Sequence, residues 1–205
     1  MARATESRSS DSPRDAVALL KQDHRIVESL FSDFEDADEG DQASIAERVC
    51  QLLTLHAQIE EEIVYPAAKQ ALEDEKDADL VNEALVEHGS AKELIGKIEG
   101  MTPDDESFKA TVTVLGEYIK HHVKEEENEL FPKLKKTDLD LKELGARLAE
   151  RKHALMEELG IEAEEEASPR ERAATSRERP RAAHARSSRS NRKSSRGSHG
   201  RPARH

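Results

Sequence analysis

Residues 55–66 read LHAQIEEEIVYP and residues 121–132 read HHVKEEENELFP. Laid over one another, the two stretches keep histidine, acid run, aromatic and proline in step: His56 over His122, Glu60 over Glu126, Tyr65 over Phe131 and Pro66 over Pro132. A second pair, Asp23-His24 and Glu87-His88, repeats at almost the same offset, with Leu30 over Leu94. Near-equal offsets mark a duplicated helical hairpin. Two such hairpins facing each other make an antiparallel, up-down-up-down four-helix bundle.

Working outward from these stretches, the apolar residues recur in steps of three and four, the helical period. The inward seam of the first helix reads Ala16, Leu20, His24, Val27, Phe31, Phe34; that of the third reads Val81, Ala84, His88, Ala91, Ile95, Ile98. The second offers Val49, Leu52, His56, Glu60, Ile63, Ala67 and the fourth Val112, Leu115, Ile119, His122, Glu126, Leu130. Ser12 as cap and Pro13 at the first position open helix one, which runs to about Asp36. Helix two covers 43–72 and helix three 78–99, the latter closed by Gly100. Thr102-Pro103-Asp104-Asp105 opens helix four, which runs to about Lys135. At these lengths each helix spans about 33 to 45 Å. A fifth, carrying Leu141, Leu144, Leu148, Leu155 and Leu159, is expected to pack outside the bundle.

Composition agrees with an all-α reading. The chain of 205 residues is 37% charged and only 3% aromatic, with no Trp, which leaves it short of strand formers. No apolar run approaches the roughly 18 residues of a membrane span, and the N-terminus has no apolar leader core. The expectation is a cytoplasmic protein with no membrane partner. One cysteine, Cys50, excludes an intramolecular disulfide and a cysteine cage for zinc; it reads as a small core residue.

The net charge of −12 divides unevenly. Residues 167–205 hold 12 Arg or Lys against two Glu, a net of +10, which leaves −22 for residues 1–166. Residues 161–205 are expected to be a disordered basic tail and 1–11 a disordered N-terminus, flanking a helical domain at 12–160, because neither flank has apolar residues enough to offset its chain entropy. Arg-rich segments neutralise phosphates, so the tail is a candidate for DNA or RNA association, although it has no aromatic residue for base stacking.

Polar residues on the inward seams carry the chemistry. Every helix of the bundle brings one histidine inward, and two add a glutamate. A buried ionised carboxylate costs several kcal/mol unless it is paired or holds a cation. His56 with Glu60 and His122 with Glu126 share a helix face at i, i+4, so each pair can present a nitrogen and an oxygen to one interior point. Imidazole and carboxylate without thiolate suit iron, manganese or zinc. On helix four His121 with Glu125, or His121 with Glu126, also fits; the alignment through the two prolines favours His122 and Glu126. Tyr118 reads as packing, Pro66 and Pro132 as kinks or helix ends, and His153 as exposed. His184, His199 and His205 lie in the tail.

The order His, His-x3-Glu, His, His-x3-Glu over residues 12–135 resembles the hemerythrin HHE cation-binding family. That resemblance implies a bridged centre of two non-heme iron ions held by His24, His56, Glu60, His88, His122 and Glu126. It also implies roles in binding, sensing or detoxifying O2, NO or peroxide, with redox turnover and plain binding both open. Six side chains would leave open positions on two six-coordinate ions. Oxygen carriers of the family have a further histidine four residues away on the third helix, where this chain has Ala84 and Lys92; the expectation turns from reversible carriage toward sensing or redox chemistry. The alternative is a non-catalytic metal-binding or regulatory module, associated with nucleic acid through its tail.

Overall fold

The computed structural model describes residues 15–161; the expected disorder of 1–11 and 161–205, the Ser12 cap and the three tail histidines lie outside the described residues, apart from Ile161. Five helices make up the described part. The first, α1, is Ala16–Asp36. The second, α2, spans 39–71, α-helical over Glu39–Ile59 and Tyr65–Ala71 with one π-helical turn, Glu60–Val64, between. The third, α3, is Glu75–Glu99. The fourth, α4, spans 108–134, with its own π-helical turn at Glu126–Leu130 between Phe108–Glu125 and Phe131–Leu134. The fifth, α5, is Leu141–Leu159.

Successive helices of the bundle are antiparallel neighbours, α4 closes the ring against α1, and α5 lies outside against α1 and α2. Among the described residues no helix is long and apolar enough to cross a membrane.

Boundaries shifted where caps compete. Asp15, not Ser12, caps α1: its side chain accepts from the Ala18 N–H at 2.8 Å. The α2 helix starts at Glu39, so the expected break at 38–41 shrinks to Ala37 and Asp38. Asp74 caps α3 by accepting from Lys76 N–H, three residues before the expected start. Thr102 and Asp105 do make the expected cap contact, Asp105 accepting from the Thr102 N–H and hydroxyl. It stabilises an isolated turn, and α4 propagates only from Phe108. At the end of α5, Gly160 takes φ +65°, a left-handed conformation that glycine adopts without a Cβ clash.

Two apolar cores fill the bundle. One gathers Leu20, Ile59, Tyr65, Val81 and Phe131 and is covered by Leu144, Leu148 and Leu155 of α5; Leu159, expected among them, is about half exposed. The other gathers Val27, Phe34, Cys50, Ile95 and Leu115. Burial pushes the Cys50 thiol up to about 12, so it stays a neutral packing residue. Past Glu60 the inward seam of α2 moves by one residue: Val64 and Ala68 are buried where Ile63 and Ala67 were expected, and those two are half-buried. The π turn is the reason, because its i→i+5 bond adds a residue to the turn. Each π turn also stands directly ahead of a proline, so the helices run through Pro66 and Pro132 despite the missing N–H.

Candidate metal centre

Between the two cores lies a polar layer. His24 from α1, His56 and Glu60 from α2, His88 from α3, and His122 and Glu126 from α4 are all buried, Glu60 completely. The Nε2 atoms of His24 and His56 are 3.1 Å apart, and those of His88 and His122 are 3.2 Å apart. Glu60 Oε2 stands 3.3 Å from His56 Nε2 and 3.4 Å from His88 Nε2. Glu126 Oε2 stands 3.3 Å from His24 Nε2 and 3.6 Å from His122 Nε2. Each carboxylate therefore reaches one ring of each histidine pair. Ligand atoms of His24, His56, Glu60 and Glu126 fall within 4.8 Å of one another, as do those of Glu60, His88 and His122.

The outward ring nitrogens fix which way the inward ones behave. His24 Nδ1–H donates to Glu127 (3.1 Å), His88 Nδ1–H to Glu61 (2.9 Å) and His122 Nδ1–H to Glu87 (2.8 Å). His56 Nδ1 faces Asp23 Oδ2 at 3.6 Å. A carboxylate at Nδ1 keeps the proton there and leaves Nε2 as a lone pair. Four lone pairs and two carboxylates then converge on one buried layer. The one hydroxyl donor hydrogen-bonded to it belongs to Tyr65, whose O–H donates to Glu126 Oε1 at 2.9 Å and lies 3.2 Å from His88 Nε2. Buried Glu60 Oε1 and Glu126 Oε2 have no hydrogen-bond donor.

Such an arrangement is stable only with positive charge in it. Burial works against a charged His56 imidazole, yet the Glu60 and Asp23 carboxylates outweigh it and raise the ring to about 10. Burial likewise opposes a charged Glu60, but His56 and His88 hold it well below the usual carboxylate range. The same field that favours a proton favours a metal cation. Two nitrogens each about 2.1 Å from one ion at roughly a right angle lie about 3.0 Å apart, close to both Nε2 pairs. The donor set, the orphaned oxygens and these spacings fit two metal ions.

An outer ring of charge holds the carboxylates in turn. Lys21 and Arg25 bind Glu127, which partial burial would raise but these cations draw down to about 2. Lys92 binds Glu61, and Lys152 of α5 binds Asp23. On the side of the second core the four rings line a cavity of about 20 Å³ with Val27, Ala91 and Ile119, room for about one water-sized guest.

All six candidate ligands from the sequence come together here. His121 and Glu125 do not: the His121 side chain is 62% exposed and the pair lies at the surface. Tyr118 is exposed, neither packed nor near the layer, and His153 is exposed as expected. Sequence reasoning missed Tyr65, Asp23, Glu61, Glu87 and Glu127. Their signal was present in the repeat, which keeps an acid before His24 and His88 and a second acid after Glu60 and Glu126. Tyr65 depends on the π turn, whose i→i+5 geometry sets it on the face of Glu60, and Phe131 likewise follows Glu126 and stacks on His24 at 5.9 Å.

The family described as hemerythrin HHE cation binding domain matches residues 15–134. A crystal structure of a hemerythrin HHE cation binding domain-containing protein from Mycobacterium kansasii superposes with a TM-score of 0.61 at 21% identity, covering 71% of this chain and 89% of that one; this likeness is one of fold. A DNA nickase from Nostoc sp. is 29% identical over 116 residues, which are 55% of this chain. The match spans 31% of the length of that relative.

Proposed function

The chain belongs to the hemerythrin HHE cation binding domain family, and from that premise we propose that it is a non-heme di-iron protein that binds, senses or detoxifies O2, NO or peroxide in the cytoplasm. One observation carries the proposal: four imidazole lone pairs and two carboxylates meet in a buried layer with a single hydroxyl donor among them. His24, His56, His88 and His122 serve as terminal ligands, and Glu60 and Glu126 each span the two positions. When bound, iron supplies redox and Lewis-acid chemistry toward small oxygen or nitrogen ligands.

The chain's own residues do the rest. Asp23, Glu61, Glu87 and Glu127 hold the rings in one tautomer and orientation. Apolar Val27, Ala91 and Ile119 keep the adjoining cavity small and dry, which admits a diatomic or peroxide-sized guest and excludes larger ones. Tyr65 keeps an O–H at Glu126, a proton available at the edge of the layer; burial and the nearby Glu60 and Glu126 carboxylates raise it well above the usual phenol range, so it remains protonated.

The test is metal content and absorption. Apo-protein loaded anaerobically with Fe2+ should take up two equivalents and, after air, develop near-ultraviolet charge-transfer bands, clearly visible because the chain lacks Trp. Protein that binds no iron, or only one equivalent, sinks the di-iron reading. Peroxide loss on adding the loaded protein would separate turnover from sensing.

A second reading makes the bundle a metal-responsive module that associates with DNA or RNA through residues 167–205. The +10 charge there and the likeness to a DNA nickase support it. Salt-sensitive duplex binding that survives removal of 167–205 would count against it.

A further inference from the structure

We propose that Glu87, His121 and Glu125 form a surface divalent-cation site that passes metal to the buried layer; the transfer step rests on that layer holding metal. His121 Nε2 lies 3.2 Å from Glu125 Oε1 and 3.6 Å from Glu87 Oε1. One imidazole nitrogen and two carboxylate oxygens thus fall within 4.8 Å of one another at the protein surface. The set suits Fe2+, Mn2+ or Zn2+ with water completing the shell. Exposure makes such a site weak, which is what handing on a cation requires.

Its position distinguishes it from an ordinary exposed His–Glu pair. Glu87 has two oxygens with two tasks: Oε1 faces His121, while Oε2 accepts from Nδ1–H of the candidate ligand His122 at 2.8 Å. One carboxylate therefore joins the surface cluster to the buried layer. A crevice of about 10 Å³ between α3 and α4 runs along the same path, lined by Glu87, Glu125, His122 and Glu126 with Ala84 and Leu130. It connects the outer acids to a carboxylate that has an orphaned oxygen.

The other hairpin offers no such route. There the positions answering to Glu87, His121 and Glu125 are Asp23, Leu55 and Ile59. Leu55 and Ile59 are buried in the core that α5 covers, and Asp23 is held by Lys152 of α5. The repeat thus keeps the inner ligands on both hairpins and changes this trio on one. The open side of the layer is the side with the cation-binding trio.

His121→Ala/Glu125→Ala tests the proposal, because both residues are at least partly exposed and contribute no ligand to the buried set; Glu83→Gln controls for charge. In rapid mixing with Fe2+ under anaerobic conditions, the double variant should fill its core to the same stoichiometry as the unaltered protein but about tenfold more slowly. In a separate titration of iron-loaded protein with Zn2+, the unaltered chain should bind one further equivalent that the double variant lacks. Equal filling rates overturn the transfer route. Absence of the extra Zn2+ equivalent overturns the site itself. An unaltered chain that takes no iron but keeps that equivalent would sink the di-iron reading and the transfer step while leaving the surface site standing.

Discussion

Set beside the hairpin of α1 and α2, the hairpin of α3 and α4 carries the same inner plan: Asp23 answers to Glu87, His24 to His88, His56 to His122, Glu60 to Glu126 and Glu61 to Glu127. The distances follow suit, with the Nε2 pairs at 3.1 and 3.2 Å. Outside that plan the halves part. Tyr65 puts a hydroxyl on the layer where Phe131 puts an apolar ring on His24. α5 covers the first hairpin and pins Asp23 through Lys152, while the second leaves Glu87 to the exposed His121. Groups that would hold the cations are duplicated, whereas those that govern protons and access are not. Duplication supplies equivalent ligands cheaply; chemistry that treats the two positions differently must come from the residues that broke the repeat.

The largest effect that could break this comparison comes from the matched carboxylates. Glu61→Gln and Glu127→Gln each weaken the hold on one histidine, and each should lower affinity for one of the two Fe2+ equivalents by about 10 to 100-fold. Competition with a chelator measures it. Losses that differ by more than a factor of ten between the two variants would show that the halves are not equivalent. A smaller effect is expected from Tyr65→Phe, which makes the first hairpin resemble the second. Removing the hydroxyl leaves Glu126 Oε1 buried without its donor and should cost the metal-free protein about 1 to 3 kcal/mol, read by denaturant unfolding. An unchanged midpoint would remove Tyr65 from the account of the layer. Least of all, Lys152→Ala should cost under about 1 kcal/mol, yet weaken only the equivalent nearest His56. Uniform weakening of both equivalents would show that α5 supports the bundle as a whole rather than one half.

Most of this architecture was legible in the chain. Inward histidines at helical spacing are readable because a polar residue on an apolar stripe stands out, and the duplicated LHAQIEEEIVYP and HHVKEEENELFP fixed which glutamates share their faces. Helix starts were less legible, since Asp15, Asp74 and Thr102 each compete with neighbours of equal capping ability and local sequence cannot rank them. Ile63 and Ala67 were misplaced for a different reason: a constant 3.6-residue period has no means of registering one widened turn. Glu61, Glu87 and Glu127 were passed over as solvated acids because their partners lie on other helices, at separations that no local pattern encodes. Tyr65 hid behind both causes at once.

The widened turns at Glu60–Val64 and Glu126–Leu130 also set a limit on how this sequence can change length. Each is in effect one residue more than an α-helix needs, tolerated in mid-helix. Deleting any one residue from 61–64 would let the turn rewind, and everything after it would swing by about 100°. The site as far as Glu60 would be undisturbed, while Tyr65, Ala68 and Leu72 would turn out of the core. A stretch whose Glu62 faces water, and which would accept almost any substitution there, is thus closed to shortening.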